Sequence, residues 1–155
     1  MRLYAKTCRH GLVVFDREGC GQDEHKSRGE LEEVVQQELA ANGWTDRAEV
    51  LVIDPELENW VWSDSPHVAS ELGWKEQPVV LRAWLHQNGF LESESQLKPA
   101  RPKEAMEAVL RKTKKPRSSA TYQAIAAKVS FDKCQDLSFL KLKATLRSWF
   151  AVSGS

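Results

Sequence analysis

Residues 11–21 read GLVVFDREGCG, and how this stretch is read decides the fold. Leu12, Val13, Val14 and Phe15 form a short apolar run of strand length, rich in β-branched and aromatic residues. A run without alternation predicts a strand buried on both faces, the kind found in parallel sheets. The chain then turns abruptly to Asp16 and Glu18, with Gly19 and Gly21 flanking Cys20. Residues 16–29 are charged and glycine-rich and predict a loop. Ser27-Arg28-Gly29-Glu30 fits a capping box, so a helix is expected over about 30–42, with Leu31, Val34, Val35 and Leu39 on one face. Gly43 stands just past its end. EVLVI at 49–53 predicts a second buried strand. Strand, helix and strand within residues 11–53 make a βαβ unit, whose two strands run parallel.

The rest of the chain reads as helical. Ser65-Pro66 predicts a short helix that stops at Gly73, and Pro78 opens another that ends at Gly89. Residues 91–101 (LESESQLKPAR) predict a loop. Pro102 starts a helix with Ala105, Met106, Val109 and Leu110 on one side. Ser119 is the expected cap of the next, and Asp136 or Ser138 that of the last, where Phe139, Leu142, Leu146, Trp149 and Phe150 recur at helical spacing. The expected organisation is therefore α/β: a partial, Rossmann-like parallel sheet in residues 1–64 and a helical extension, residues 65–155, packed on it.

Net charge is formally zero, but its distribution is uneven. From Asp16 to Glu58 there are 13 acids against 4 bases; from Lys98 to Phe150 there are 13 bases against 4 acids. Such asymmetry points to a cation site, to a polyanion partner, or to two halves that attract each other. Cys8, Cys20 and Cys134 show neither C-x-x-C spacing nor a disulfide framework, which predicts a reducing, cytoplasmic setting. No run approaches the 18 or so apolar residues of a membrane span. The four histidines show no ligand spacing, and the phosphate-binding patterns G-x-x-x-x-G-K-[ST] and G-x-G-x-x-G do not occur.

The second strand ends as the first does, in acids: Asp54-Pro55-Glu56-Leu57-Glu58. Parallel neighbours finish on the same sheet edge, which is where open α/β sheets bind ligands. Asp16 and Glu18 from one strand are thus expected to come toward Asp54, Glu56 and Glu58 from the other. Carboxylates gathered in one place repel unless a cation neutralises them, and all-oxygen donors suit Mg²⁺ or Mn²⁺. Each acid also has a plainer role. Asp54 before Pro55 is a good helix N-cap, Glu56 suits the first turn of a helix, and Asp16 and Glu18 suit a turn.

FDREGCG resembles the D-x-D motif that ends a Toprim strand, with Glu18 in place of the second aspartate. DPELENWVWSD resembles the PE-x-E-x-W segment of the Toprim-like proteins found beside bacterial and phage defence genes, relatives of the OLD and RloB nucleases. RPKEAMEAVL and FDKCQDLSFLKLKATLRSWF resemble the helices that follow in that branch. The resemblance implies a Toprim-like core and a metal-dependent nuclease in which Asp16, Glu18, Glu56 and Glu58 hold Mg²⁺ or Mn²⁺ and carry the catalysis. Toprim enzymes also carry an earlier glutamate as general acid/base. Here no Asp or Glu precedes Asp16, and residues 1–10 are too short for the strand and helix that would bring it. The N-terminal part of a Toprim core is therefore expected to be missing.

Three functional readings from different classes follow. The first is a Toprim-like phosphoesterase acting on nucleic acid, with Lys103, Lys112, Lys114, Lys115 and Arg117 as phosphate contacts. The second is a non-catalytic accessory module of a defence complex, binding partner proteins through aromatics such as Trp44, Trp74 or Trp84. A plain adaptor without metal is the third.

Overall fold

The computed structural model describes residues 2–63, 65–130, 132 and 134–151. Phe131 and Lys133 of the FDKCQDLSFL motif lie outside them. The chain is mixed α/β and divides into two compact units, residues 1–54 with 135–155 and residues 55–134.

In the first unit, β1 (Gly11–Asp16) and β2 (Ala48–Ile53) form a two-stranded parallel sheet in the register Gly11↔Ala48 to Asp16↔Ile53. Between them runs α1 (Arg28–Leu39). Its start is the expected capping box: the Ser27 hydroxyl accepts from the Glu30 amide, and the Glu30 carboxylate accepts from the Ser27 amide at 2.8 Å. Leu31 and Leu39 are buried with Val50 and Val52 of the sheet, and Val13, Phe15 and Val35 pack against them. Val34, expected on that face, is instead exposed, because α1 buries a narrow stripe. A wider helical turn, Ala40–Trp44, ends the helix, and Gly43 supplies the left-handed φ of +84° that reverses the chain. Arg47 holds this corner. Its guanidinium donates to the carbonyls of Cys8 (2.8 Å), Gly43 (2.7 Å) and Ala5, and lies 4.7 Å over the Trp44 ring.

The last helix, numbered α7 (Leu137–Trp149), also belongs to this unit and packs on β2. Asp136 caps it, accepting from the amides of Ser138 and Phe139. Division at residue 64 therefore gives way to division at Asp54, with a return at Gln135. The physical reason is Lys141, whose ammonium donates to the Val50 carbonyl (2.7 Å) and pairs with Glu32 (3.0 Å) and Glu49 (2.9 Å). Phe139, Leu142 and Trp149 are half-buried, while Leu146 and Phe150 are exposed, so the expected apolar seam is only partly covered.

The outer edge of β2 is closed by side chains. Gln36 donates to the Ala48 carbonyl (3.0 Å), Lys141 to that of Val50, and the Val52 amide donates to Glu32 (3.1 Å). These bonds satisfy groups that would otherwise be an unpaired strand edge.

The second unit holds α2 (Glu58–Val61), α3 (Pro66–Glu71), α4 (Pro78–Gln87), α5 (Pro102–Thr113) and α6 (Ser119–Lys128). Its core is built from Trp62, Leu72, Leu81, Leu85, Met106 and Val109, all buried. Ala105, Met106, Val109 and Leu110 are the buried side of α5, as their spacing predicts. Ser118, not Ser119, caps α6. Gly73, at φ +81°, lets the end of α3 approach α5: a Cβ there would stand 3.2 Å from Thr113, whose hydroxyl donates to the Leu72 carbonyl at 2.8 Å. Trp44 and Trp74, expected as partner-binding aromatics, are buried, whereas Trp84 is half-buried against Trp74 and Phe90.

Candidate functional site

At the carboxyl edge of the sheet, the Arg17 amide donates to the Ile53 carbonyl at 2.8 Å and extends the ladder past Asp16. The Arg17 side chain then folds back. Its Nε lies 2.8 Å from Asp54 Oδ1, and its Nη1 donates to the Asp23 carbonyl at 2.8 Å. The bond to Asp54 raises the Arg17 pKa above its ordinary value. Asp23 in turn accepts from the Gly19 amide at 3.1 Å, which together with the proximity of Arg17 lowers its pKa. The loop after β1 is thus organised by an arginine that neutralises one acid of this edge. Asp54 is not the expected helix cap, since α2 begins at Glu58 with Leu57 before it. Glu18 is exposed and Asp16 half-buried.

Glu56 and Glu58 belong to the second unit, where both are 3 % exposed. Glu56 Oε1 accepts from the Lys103 amide at 2.9 Å, and Lys103 Nζ stands 3.6 Å from Oε2. Arg101, which precedes α5, makes no side-chain cap. Glu56 therefore serves α5 as an N-cap supplied from 47 residues away, satisfying one of the orphan amides of the first turn and complementing the positive end of the helix. Glu58 Oε1 accepts from the Tyr122 hydroxyl and from Arg117 Nη2, both at 2.6 Å. Arg117 also pairs with Glu107 (3.1 Å) and donates from Nε to the Tyr122 oxygen (3.1 Å). Burial, and then the bond to Glu58, raise the Tyr122 pKa; the bond to Tyr122, with Glu58 and Glu107 nearby, raises that of Arg117.

These partners decide the fit to a divalent cation. Glu56 and Glu58 are neutralised by a backbone amide, a lysine, an arginine and a tyrosine of their own unit, so they do not fit the role of metal ligands in this arrangement. Among the described residues, no group of three or more His, Cys, Asp and Glu is placed to hold a metal ion. Among the described residues, no helix is long and apolar enough to cross a membrane.

The five expected phosphate contacts divide in the same way. Lys103 and Arg117 pair with the buried glutamates, and Lys115 donates to the Glu71 carbonyl. Lys112 and Lys114 are exposed. Lys114 ends α5 in the left-handed region (φ +56°), with its amide bonded to the Arg111 carbonyl at 3.2 Å. Arg111 is 70 % exposed and only loosely paired, 3.8 Å from Glu107. Between the end of α5 and the turn into α6 lies an open depression of about 430 Å³, lined by Leu110, Arg111, Lys114, Lys115, Pro116 and Arg117, with Glu107 as its one carboxylate. Sequence reasoning missed Tyr122 and Glu107, which shape this turn through Arg117; their separations from Glu58 carry no periodic signal.

Comparison of the chain with protein-family models, with curated proteins and with solved structures found no match.

Proposed function

We propose that this chain is a non-catalytic, nucleic-acid-binding accessory module whose contact surface is the basic turn at residues 111–117. The observation that carries the proposal is the use made of Glu58. It is a buried anchor that fixes Arg117 and hence the turn, leaving Arg111, Lys112 and Lys114 projecting beside an open depression. The resemblance of the four motifs to Toprim-like, defence-associated proteins supports a setting among prokaryotic defence components. Binding of this kind is electrostatic and insensitive to base sequence.

The test is a fluorescence-polarisation titration of a labelled DNA duplex at several salt concentrations. Three phosphate contacts correspond to a slope of roughly −3 in log K against log salt. Lys112→Glu combined with Lys114→Glu should weaken binding at least about tenfold, since each contact becomes a repulsion. Absence of binding at about 50 mM salt would overturn the proposal and leave the cluster as a solvated helix end complementing the α5 dipole.

A further inference from the structure

Among the cations of the basic turn, Arg117 stands apart. Three of its five N–H groups are committed, one on each nitrogen: Nε to the Tyr122 oxygen (3.1 Å), Nη1 to Glu107 (3.1 Å) and Nη2 to Glu58 (2.6 Å). Bonds at all three nitrogens fix the guanidinium plane, and two carboxylates offset its charge. Yet the side chain is 45 % exposed and lines the depression between α5 and α6. A cation paired in this way is a weak phosphate ligand. What it has left to offer is a flat, fixed face, and guanidinium faces stack on aromatic rings.

The depression has a matching character. It carries four cations, Arg111, Lys114, Lys115 and Arg117, but its lining is mostly apolar, with Leu110 and Pro116 among them. Lys115 is turned to the Glu71 carbonyl, which leaves the exposed Arg111 and Lys114 as the charges of the rim. The volume of about 430 Å³ lies within the roughly 300–1,000 Å³ of small-molecule pockets. The turn that forms it is fixed. The Lys115 amide donates to the Leu110 carbonyl (3.0 Å) and the Lys114 amide to that of Arg111 (3.2 Å), a Schellman pattern. Lys114 occupies its left-handed position (φ +56°), where glycine would sit at lower cost, and so keeps a charge on the rim.

Resting on the reading of this turn as a nucleic-acid surface, we propose that the depression takes an unpaired nucleobase. The base stacks on the Arg117 guanidinium and against Pro116, while Arg111, Lys112 and Lys114 hold the adjoining phosphates. Two complementarities set this occupant: a basic rim for phosphate, and a flat, largely apolar lining for a ring. A free phosphate or a peptide carboxylate would meet the rim and leave the lining empty. The preferred ligand is therefore a single strand, whose bases are free to stack on the protein. A duplex keeps its bases in its own stack and reaches the rim with phosphates alone. Electrostatics by itself ranks the two the other way, since the duplex has the higher charge density.

Fluorescence polarisation with three end-labelled probes tests this: a thymidine strand of about 12 nucleotides, an abasic strand of the same length, and a hairpin duplex with the same number of phosphates. At about 100 mM salt the native chain should bind the thymidine strand at least about fivefold more tightly than either of the others, the low end of what one stacked base contributes. Arg117→Lys keeps the charge and removes the plane. It should bring the thymidine strand down to the abasic level and leave abasic binding unchanged. Should the substitution disturb the turn, abasic binding falls as well, and the comparison of probes on the native chain decides. A native chain that binds the abasic strand as tightly as the thymidine strand, or the duplex more tightly than either, would overturn the inference and leave the nucleic-acid-binding turn standing. Binding of none of the three at about 50 mM salt would overturn both.

Discussion

Replacing Lys141 by methionine isolates what holds α7 to the sheet. Methionine keeps the apolar stem and removes the ammonium. Three charge-assisted bonds are lost: to the Val50 carbonyl (2.7 Å), to Glu32 (3.0 Å) and to Glu49 (2.9 Å). In a buried setting each would be worth about 1.5–3 kcal/mol. Lys141 and Glu49 are about a third exposed, however, and Glu32 is 15 % exposed. Screening brings each ion pair down to about 0.5–1 kcal/mol, and the Val50 carbonyl adds about 1, for a total of about 2–3 kcal/mol. Urea unfolding at pH 7 reads this as a lowered midpoint. Glu32→Gln in the Lys141→Met background should recover part of the loss. It removes the repulsion with Glu49 and keeps an oxygen for the Val52 amide. The alkaline limb gives a second reading. Burial lowers the Lys141 pKa, but the bonds to Glu49 and Glu32 outweigh it and hold the pKa above its ordinary value. Its contribution is therefore complete below the unfolded pKa of about 10.4 and is lost as pH rises through the folded value. A Lys141→Met protein within about 0.5 kcal/mol of the parent would refute the assignment of α7 to this unit through Lys141.

Tyr122→Phe should cost about 1–2 kcal/mol, because buried Glu58 loses a donor. It should also flatten the alkaline loss of melting temperature, since a raised tyrosine pKa stabilises the fold below about pH 10 and the gain disappears above it. Glu56→Ala should destabilise by about 1–2 kcal/mol as α5 loses its cap, and Glu56→Gln, which keeps an acceptor for the Lys103 amide, by less. A Glu56→Gln protein more stable than the parent would instead mark Glu56 as one of several unneutralised carboxylates.

The parallel strands were legible because apolar runs of strand length and a capping box are local signals, and Pro102 with its 3.6-residue stripe marked α5 equally well. The placement of α7 was not. It depends on Lys141 meeting Val50, 91 residues earlier, which no periodicity announces. The burial of Glu56 and Glu58 was not legible either. Their partners, Lys103, Arg117 and Tyr122, lie 47 to 64 residues downstream, so composition displayed the negative charge without the cations that neutralise it. The same holds for Asp54: an Asp-Pro step imitates a helix cap, and only the fold brings Arg17 to it.

Binding without cleavage is the central claim, and electrophoresis of supercoiled plasmid incubated with the chain in Mg²⁺ or Mn²⁺ reads both together. The account predicts a retarded plasmid that remains supercoiled, with the retardation removed by Lys112→Glu and Lys114→Glu. Metal-dependent conversion to nicked circles, lost in Glu58→Gln, would contradict it and return Glu58 to a catalytic role.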